Sequence, residues 1–283
     1  VRIISSSKEM QAYSAEEIRN GNTIGFIPTM GYLHEGHLAL VKKSVSECNK
    51  SVMSIFVNPL QFGPNEDFDK YPRDIKRDTL LAKEAGVDVL FYPSADEIYP
   101  DDLPVKMTAT SRTNVLCGAK RPGHFDGVVS VLTILFHLVQ PNKAYFGQKD
   151  AQQVAVVKGL VDSFFFPLEI VTVDTVREVD GLAKSSRNVY LSENERNQAP
   201  LLYQALKAGK EALAHQSVSQ TIEQMKATIG KSTSAEIDYI EILSYPELTK
   251  LAEKKGTIMI ALAVQFKHAR LIDNLIFMLE EEK

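Results

Sequence analysis

The stretch PTMGYLHEGHLAL, residues 28–40, holds His34 and His37 three apart, with Gly31 and Gly36 beside them, where an apolar run gives way to a helical pattern. Paired histidines serve three chemistries: they ligate a metal, move protons, or donate hydrogen bonds to an anion. A zinc site needs a third protein ligand, and no Cys, His or Asp is spaced to supply one. HEGH also differs from the H-E-x-x-H of zinc proteases, whose histidines stand at i and i+4. A glycine-bearing loop entering a helix offers unpaired N–H groups and the positive end of the helix dipole, which suits an anion. Histidines there favour the neutral form, in which one ring N–H still donates to a phosphate oxygen.

Other loops add to that anion site. Lys149 in GQKDAQQ (147–153) and Arg187 in GLAKSSRN (181–188) carry fixed positive charge, and Ser185 and Ser186 carry hydroxyl donors. Together with the histidines they compose a triphosphate cradle without a P-loop. Neither G-x-x-x-x-G-K-[ST] nor G-x-G-x-x-G occurs anywhere in the chain, so neither a P-loop NTPase nor a standard dinucleotide oxidoreductase is supported.

The rest of the chain must position these loops. Short apolar, often β-branched runs read as buried strands: TIGFIPT (23–29), SVMSIFV (51–57), VDVLFYP (87–93), KAYFG (143–147) and LEIVTVDTV (168–176). Helical patterns lie between them. LALVKKSVSEC (38–48) carries Leu38, Val41 and Val45 on one face. PRDIKRDTLLAKEAG (72–86) carries a stripe of Ile75, Thr79 and Ala82. VVSVLTILFHLVQ (128–140) is apolar nearly all round, and AQQVAVVKGLVDSF (151–164) comes after the fourth strand. Strand–helix–strand repetition predicts an α/β fold with a doubly wound parallel sheet, whose ligands bind outside the carboxyl ends of the strands.

The pattern changes after residue 176. Ser192 and Glu195 form a possible capping box opening a helix to about His215, with Pro200 expected to kink it or shift its start. A second helix at 218–230 is followed by strand-like runs at 238–243, 257–266 and 269–278. Helices followed by strands predict a smaller α+β domain over 177–283, after a Rossmann-like domain over 1–176.

Bulk properties narrow the function class. A formal net charge of −4 over 283 residues excludes the strong basic excess of a non-specific nucleic-acid binder. No apolar run approaches the roughly 18 to 20 residues of a membrane span. The opening VRIISSSKEM lacks a positive segment followed by an apolar one, so no secretory signal is expected. Cys48 and Cys117 match no zinc or disulfide spacing and read as reduced thiols, which points to the cytoplasm.

PTMGYLHEGH resembles the HIGH-type motif of the nucleotidyltransferase superfamily, with His34 and His37 at its histidine positions. LAKSSRN (182–188) resembles the KMSKS-type partner motif, with Lys184 at its start and Arg187 at its second basic position. Adding FVNPLQFG (56–63), YPR (71–73), RPGHFDGV (121–128), FGQKDAQQ (146–153) and SSRNVYL (185–191), the chain is similar to one family, the pantoate–β-alanine ligases. The motifs run in order from Pro28 to Leu191, which makes the resemblance specific.

The resemblance implies an ATP-dependent, AMP-forming condensation of pantoate with β-alanine through a pantoyl adenylate, with Mg²⁺ held chiefly by ATP oxygens and a homodimeric assembly. By motif position, Met30, Gly31, Tyr32, Leu33, His34, Glu35, Gly36 and His37 line the ATP site, with His37 the foremost catalytic residue beside His34, Lys149 and Arg187. Gly147, Gln148, Lys149 and Asp150 form a second wall. Lys184, Ser185, Ser186 and Arg187 close over the triphosphate, and Val176, on the final strand, holds adenine through its backbone. Gln61 and Gln153 bind pantoate, and Gln61 also meets β-alanine. Asn58, Tyr71 and Arg121 stand at the rim. No transition metal is expected. The nearest rival is a nucleotidyltransferase with another acceptor, which has no need of both glutamines; the other is a non-catalytic nucleotide-binding protein, which turnover would expose.

Overall fold

Phe26 and Ile27 are neighbours in sequence, both fully buried, and their side chains leave opposite faces of one strand. Only a strand covered on both sides can bury both. The computed structural model describes residues 1–64, 66, 68–100 and 103–280. In chain order its first elements are β1 (Arg2–Ile4), α1 (Ser7–Arg19), β2 (Ile24–Thr29), α2 (Glu35–Glu47), β3 (Lys50–Ile55), α3 (Ile75–Glu84) and β4 (Val89–Phe91). Next come α4 (Ala95–Ile98), α5 (Leu116–Lys120), α6 (His124–Val139), β5 (Lys143–Gly147), α7 (Ala151–Ser163) and β6 (Glu169–Val173).

The six strands form one parallel sheet in the order β1-β4-β3-β2-β5-β6, the expected doubly wound arrangement. On one face, Leu40 and Val41 of α2 and Ala82 of α3 join Ile27, Met53, Leu90 and Tyr145 in a single core. On the other, Phe136 of α6 meets Phe26 edge to face at 6.3 Å. Each expected strand is present; β5 matches its run, and the other four are shorter than theirs. The edge strand β1 and helix α1 add to the expected elements. β1 is three residues long, and α1 buries only Met10, Tyr13 and Ser14, too sparse a stripe to read as periodicity.

From residue 193 come α8 (Glu193–Gln198), α9 (Leu201–His215), α10 (Val218–Ser232), β7 (Glu236–Ser244), β8 (Gly256–Gln265) and β9 (Arg270–Leu279). Ser192 and Glu195 form the capping box. The expected single helix breaks at Pro200, where a ring without an N–H ends α8 and a new helix starts one residue later. The three strands make an antiparallel sheet. One face packs on Leu202, Leu206 and Leu213 of α9 and Met225 and Ile229 of α10. Met259 and Ala261 on the other face meet Leu116 of α5 and Ala151 and Ala155 of α7.

The chain divides into two compact units by contact. The first comprises Val1–Thr110, Arg121–Gln148 and Val156–Asp174; the second comprises Ser111–Lys120, Lys149–Ala155 and the chain from Thr175 onward. A single cut after residue 176 leaves 111–120 and 149–155 with the first unit. The apolar face of β8 instead gathers both segments into the second, because α5 and the start of α7 cover it.

Gly127 is a point of close approach. A Cβ there would overlap the Leu60 carbonyl and stand 2.6 Å from the Gln61 nitrogen, both backbone atoms that cannot swing aside. Gly127→Ala should therefore cost about 1 to 3 kcal/mol through overpacking. A chemical-denaturation midpoint unchanged from the parent would show that α6 does not press on residues 60–61.

Candidate active site

The strand order reverses between β2 and β5, so the loops leaving their carboxyl ends part in opposite directions and open a crevice. Met30–His37 leaves β2 there, and Gly147–Gln148 ends β5 and begins the next turn. The first loop bends sharply, with Gly31 at φ +85° and Tyr32 at φ +50°. Tyr32 is an L side chain in the left-handed region, a conformation that lasts only where the surroundings impose it. Here they do. The Thr29 hydroxyl accepts from the Gly31 N–H at 3.2 Å and donates to the Ser54 carbonyl at 2.7 Å. Asp78, buried on α3, accepts from the N–H of Tyr32 at 2.6 Å and of Leu33 at 2.8 Å.

Asp78, which holds this bend, is a residue that sequence reasoning did not single out. α3 starts at Ile75 behind the Asp74 cap and turns Asp78 inward with Ala82, a place where a carboxylate reads as a surface residue. The available signal was a carboxylate at a position i+3 from Ile75 and i−4 from Ala82.

The bend delivers the two histidines to the start of α2. His34 is the N-cap, and its Nδ1 accepts from the Gly36 N–H at 3.1 Å. The His37 Nδ1 accepts from the His34 N–H at 3.3 Å, completing a reciprocal capping box. The rings lie 4.1 Å apart between centroids. An imidazole nitrogen that accepts carries no proton, so each neutral ring holds its proton on Nε2. The helix cap thus turns two histidines into a pair of Nε2–H donors at the positive end of a helix.

Gln61 is fixed by a second network. The Asn58 Nδ2 donates to the Gly127 carbonyl at 3.0 Å and to Gln61 Oε1 at 3.1 Å, while its Oδ1 accepts from the Tyr99 hydroxyl at 2.9 Å and the Leu60 N–H at 3.2 Å. Gln61 therefore spends its oxygen on Asn58 and directs its NH₂ toward the Met30 sulfur, 3.1 Å away. Arg121 pairs with Glu66, with its Nε 2.6 Å from Oε1, and His124 Nδ1 lies 2.8 Å from the Gln61 carbonyl. Asn58 and Tyr71 are interior residues rather than rim residues, and Arg121 is engaged with Glu66. Burial raises the Tyr99 pKa, which keeps its phenol protonated as the donor to Asn58. Sequence reasoning did not single out Tyr99 or His124.

The remaining site residues belong to the second unit. Lys149 and Ser185 line one small cavity with Asn188 and Asp273. The Lys149 carbonyl accepts from Asn274 Nδ2 at 2.8 Å, and its Nζ lies 3.5 Å from Asp150. Asp273 grips Arg177 through both oxygens, at 2.6 and 2.9 Å, with the guanidinium 3.7 Å above the Tyr203 ring. Ser185 caps the turn Ser186–Tyr190 by accepting from the Arg187 N–H. Gln153 is half-buried, whereas its neighbour Gln152 is buried and tied to Arg112, Val115 and Gly118. One expectation needs correcting. β6 ends at Val173, so Val176 lies beyond the strand, and its carbonyl accepts from the Lys184 N–H at 2.9 Å. The Lys184 ammonium pairs with Glu178 at 2.8 Å.

Among the described residues no group of three or more His, Cys, Asp or Glu is placed to hold a metal ion. No helix among them is long and apolar enough to cross a membrane.

A sequence model of the family described as Pantoate-beta-alanine ligase matches residues 2–276. The chain is 57% identical over 276 residues to a pantothenate synthetase of Geobacillus thermodenitrificans, covering 97% of this chain and 96% of the relative. It is 53% identical over 275 residues to that of Listeria monocytogenes, covering 96% of each. The crystal structure of pantothenate synthetase from Thermus thermophilus superposes with a TM-score of 0.91 at 46% identity, over 97% of this chain and 99% of that one. A pantoate–β-alanine ligase from Francisella tularensis, complexed with β,γ-ATP and β-alanine, superposes with a TM-score of 0.83 at 34% identity, over 98% and 97%.

The capping geometry makes a direct spectroscopic prediction. Long-range ¹⁵N–¹H correlation at neutral pH should place the proton of both His34 and His37 on Nε2. A proton on Nδ1 of either ring is incompatible with the reciprocal cap.

Proposed function

The chain belongs to the pantoate–β-alanine ligase family, and from that premise we propose how its residues divide the work of condensing pantoate with β-alanine at the expense of ATP. A carboxylate is a poor electrophile, so the pantoate carboxylate first attacks the α-phosphorus of ATP and pyrophosphate departs. The pantoyl adenylate that results is a mixed anhydride. The β-alanine amine attacks its carbonyl, the amide forms, and AMP leaves as the second product. Negative charge gathers on the departing pyrophosphate and the α-phosphoryl oxygens, where fixed donors lower the barrier most.

The observation that carries this assignment is the His34–His37 cap at the β2/β5 crevice. We assign its two Nε2–H groups to phosphate oxygens, with His37 the foremost catalytic donor and Met30–Gly36 lining the nucleotide. Gly147–Asp150 form the second wall, with Lys149 on phosphate. Ser185, Ser186 and Arg187 supply further donors to the triphosphate. The Lys184–Glu178 pair leaves Lys184 a backbone role, shared with Val176 at the adenine. Gln61 and Gln153 take pantoate, and Gln61 also faces β-alanine.

Mg²⁺ would be held by phosphate oxygens and water, and the half-buried Asp150 carboxylate offers the hard oxygen donor such an ion accepts. When bound, the ion offsets charge on the phosphates. The family reading carries with it a homodimer and a place in the cytoplasm, for sedimentation and localisation measurements to check.

Pyrophosphate exchange into ATP should require pantoate and Mg²⁺ and proceed without β-alanine. Exchange that needs β-alanine would sink the two-step scheme. In the same assay His37→Ala should slow adenylation about 10²- to 10³-fold, the scale of one transition-state donor.

Gln61→Ala removes a donor from the acid pocket and should raise the pantoate KM about ten- to a hundredfold, the scale of leaving one polar group unpaired. The ATP KM should move far less. Equal losses for both substrates would take Gln61 out of that pocket.

A further inference from the structure

The histidines, Gly31 and the β2 strand all belong to one continuous segment, yet the group that fixes their geometry comes from elsewhere. Asp78 sits on α3, 45 residues after Leu33, is 1% exposed, and spends both carboxylate oxygens on consecutive N–H groups of the bend. Those two N–H groups belong to Tyr32, held at φ +50°, and to Leu33, which is fully buried. The helix cap begins at the next residue, His34. A Cβ on Gly31 would stand 3.0 Å from Asp78 Oδ2 and 2.9 Å from Ile55, so backbone and carboxylate are in close contact there.

We infer that Asp78 is a positioning residue for the reaction: its carboxylate sets the Gly31–Leu33 bend and thereby the place of the His34 and His37 donors. The inference rests on the ligase reading for what those donors do, and on geometry alone for how they are held. Leu33 anchors the loop in the core, and α2 anchors the chain beyond His34. The left-handed peptide between has no regular ladder to hold it, and the Asp78 carboxylate takes that part. Arg77 stands beside it, 3.5 Å from Oδ1 and 5.1 Å from the Tyr32 ring centroid. The same short stretch of α3 therefore touches both the backbone and the side chain of Tyr32.

Asp78→Asn keeps the shape but sets an NH₂ group against one of the two backbone N–H donors, so one hydrogen bond is lost and one repulsion gained. At a temperature where the variant is fully folded, the kcat of pantoate-dependent pyrophosphate exchange should fall about ten- to hundredfold, the scale of a lost hydrogen bond to a charged acceptor. The pantoate KM should stay within about twofold, because Gln61 is held by Asn58 and Tyr99. The ¹⁵N signals of His34 and His37 should shift, whether or not the enzyme turns over. Ile229→Ala, a cavity in the separate core beneath the antiparallel sheet, should lower Tm and leave kcat unchanged. A wild-type enzyme with no pantoate-dependent exchange would refute the ligase reading, and the histidine signals would still test the clamp. Native-state hydrogen exchange of the wild type gives a second measurement that does not depend on the variant folding: the Tyr32 and Leu33 amides should be protected like those of β2. An Asp78→Asn enzyme with full kcat and unmoved histidine signals, or Tyr32 and Leu33 amides exchanging as an open loop, overturns the inference.

Discussion

The site depends on a single left-handed bend. β2 delivers the chain to the carboxyl edge of the sheet in extended form, ending at Thr29, and α2 must begin at Glu35 if its first turn is to face the crevice. Reversing direction in so short a span requires positive φ at two successive residues, Gly31 and Tyr32. Glycine adopts that conformation freely and tyrosine does not, so the loop needs partners for its N–H groups to hold it there. Thr29, Asp78 and the reciprocal histidine cap together supply them for Gly31, Tyr32, Leu33, His34 and Gly36. Under the proposed assignment the histidines are structural and chemical at once. Their Nδ1 atoms complete the helix start, and the same bonds decide which nitrogen carries the proton.

Fixing that bend with a carboxylate is costly to the fold. Burial raises the Asp78 pKa, outweighing the Leu33 and Tyr32 N–H groups and the nearby Arg77, which lower it. A carboxyl with a folded pKa above its unfolded one binds its proton more tightly when folded. Its contribution to stability therefore declines as pH rises from the ordinary aspartate value through the raised folded value. Above that window the charge is buried at a net cost. A neutral residue would avoid the cost, but no neutral side chain of that length accepts from two adjacent N–H groups through two oxygens. Stability is given up for the geometry of the bend that carries the two histidines.

Much of this was legible in the sequence. The β2, β3, β4, β5 and β6 runs, the apolar α6 and the break at Pro200 derive from periodicity and from the chemistry of proline, and they imply the parallel sheet and its crevice. The features that escaped did so for identifiable reasons. Asp78 occupies an inward position where a core residue is expected, and a charged residue there reads as a surface one. The roles of Asn58 and Tyr99 depend on partners 69 and 41 residues away, which no local pattern encodes. Segments 111–120 and 149–155 join the second unit because β8 has two apolar faces, and alternation along a strand does not say what will cover each one. Val176 reads as a strand residue because the apolar alternation continues past Val173, where the pairing with β5 has already ended.

The polarity of Gln61 obeys the same logic as that of the histidines. An isolated glutamine offers a donor and an acceptor, and a binding site that left both free could take a carboxylate or an amine in either sense. Asn58 removes the choice. Its own amide is oriented by the Gly127 carbonyl, which accepts only from Nδ2, and by Tyr99 and Leu60, which donate only to Oδ1. With Asn58 so fixed, Gln61 must offer its oxygen inward and its NH₂ outward. In the proposed role, a neutral N–H donor would meet the oxygens of a hydroxy acid without adding a full charge to compete for phosphate. Gly127 closes the chain of constraints, since only a residue without Cβ lets α6 approach residues 60–61 closely enough for its carbonyl to orient Asn58.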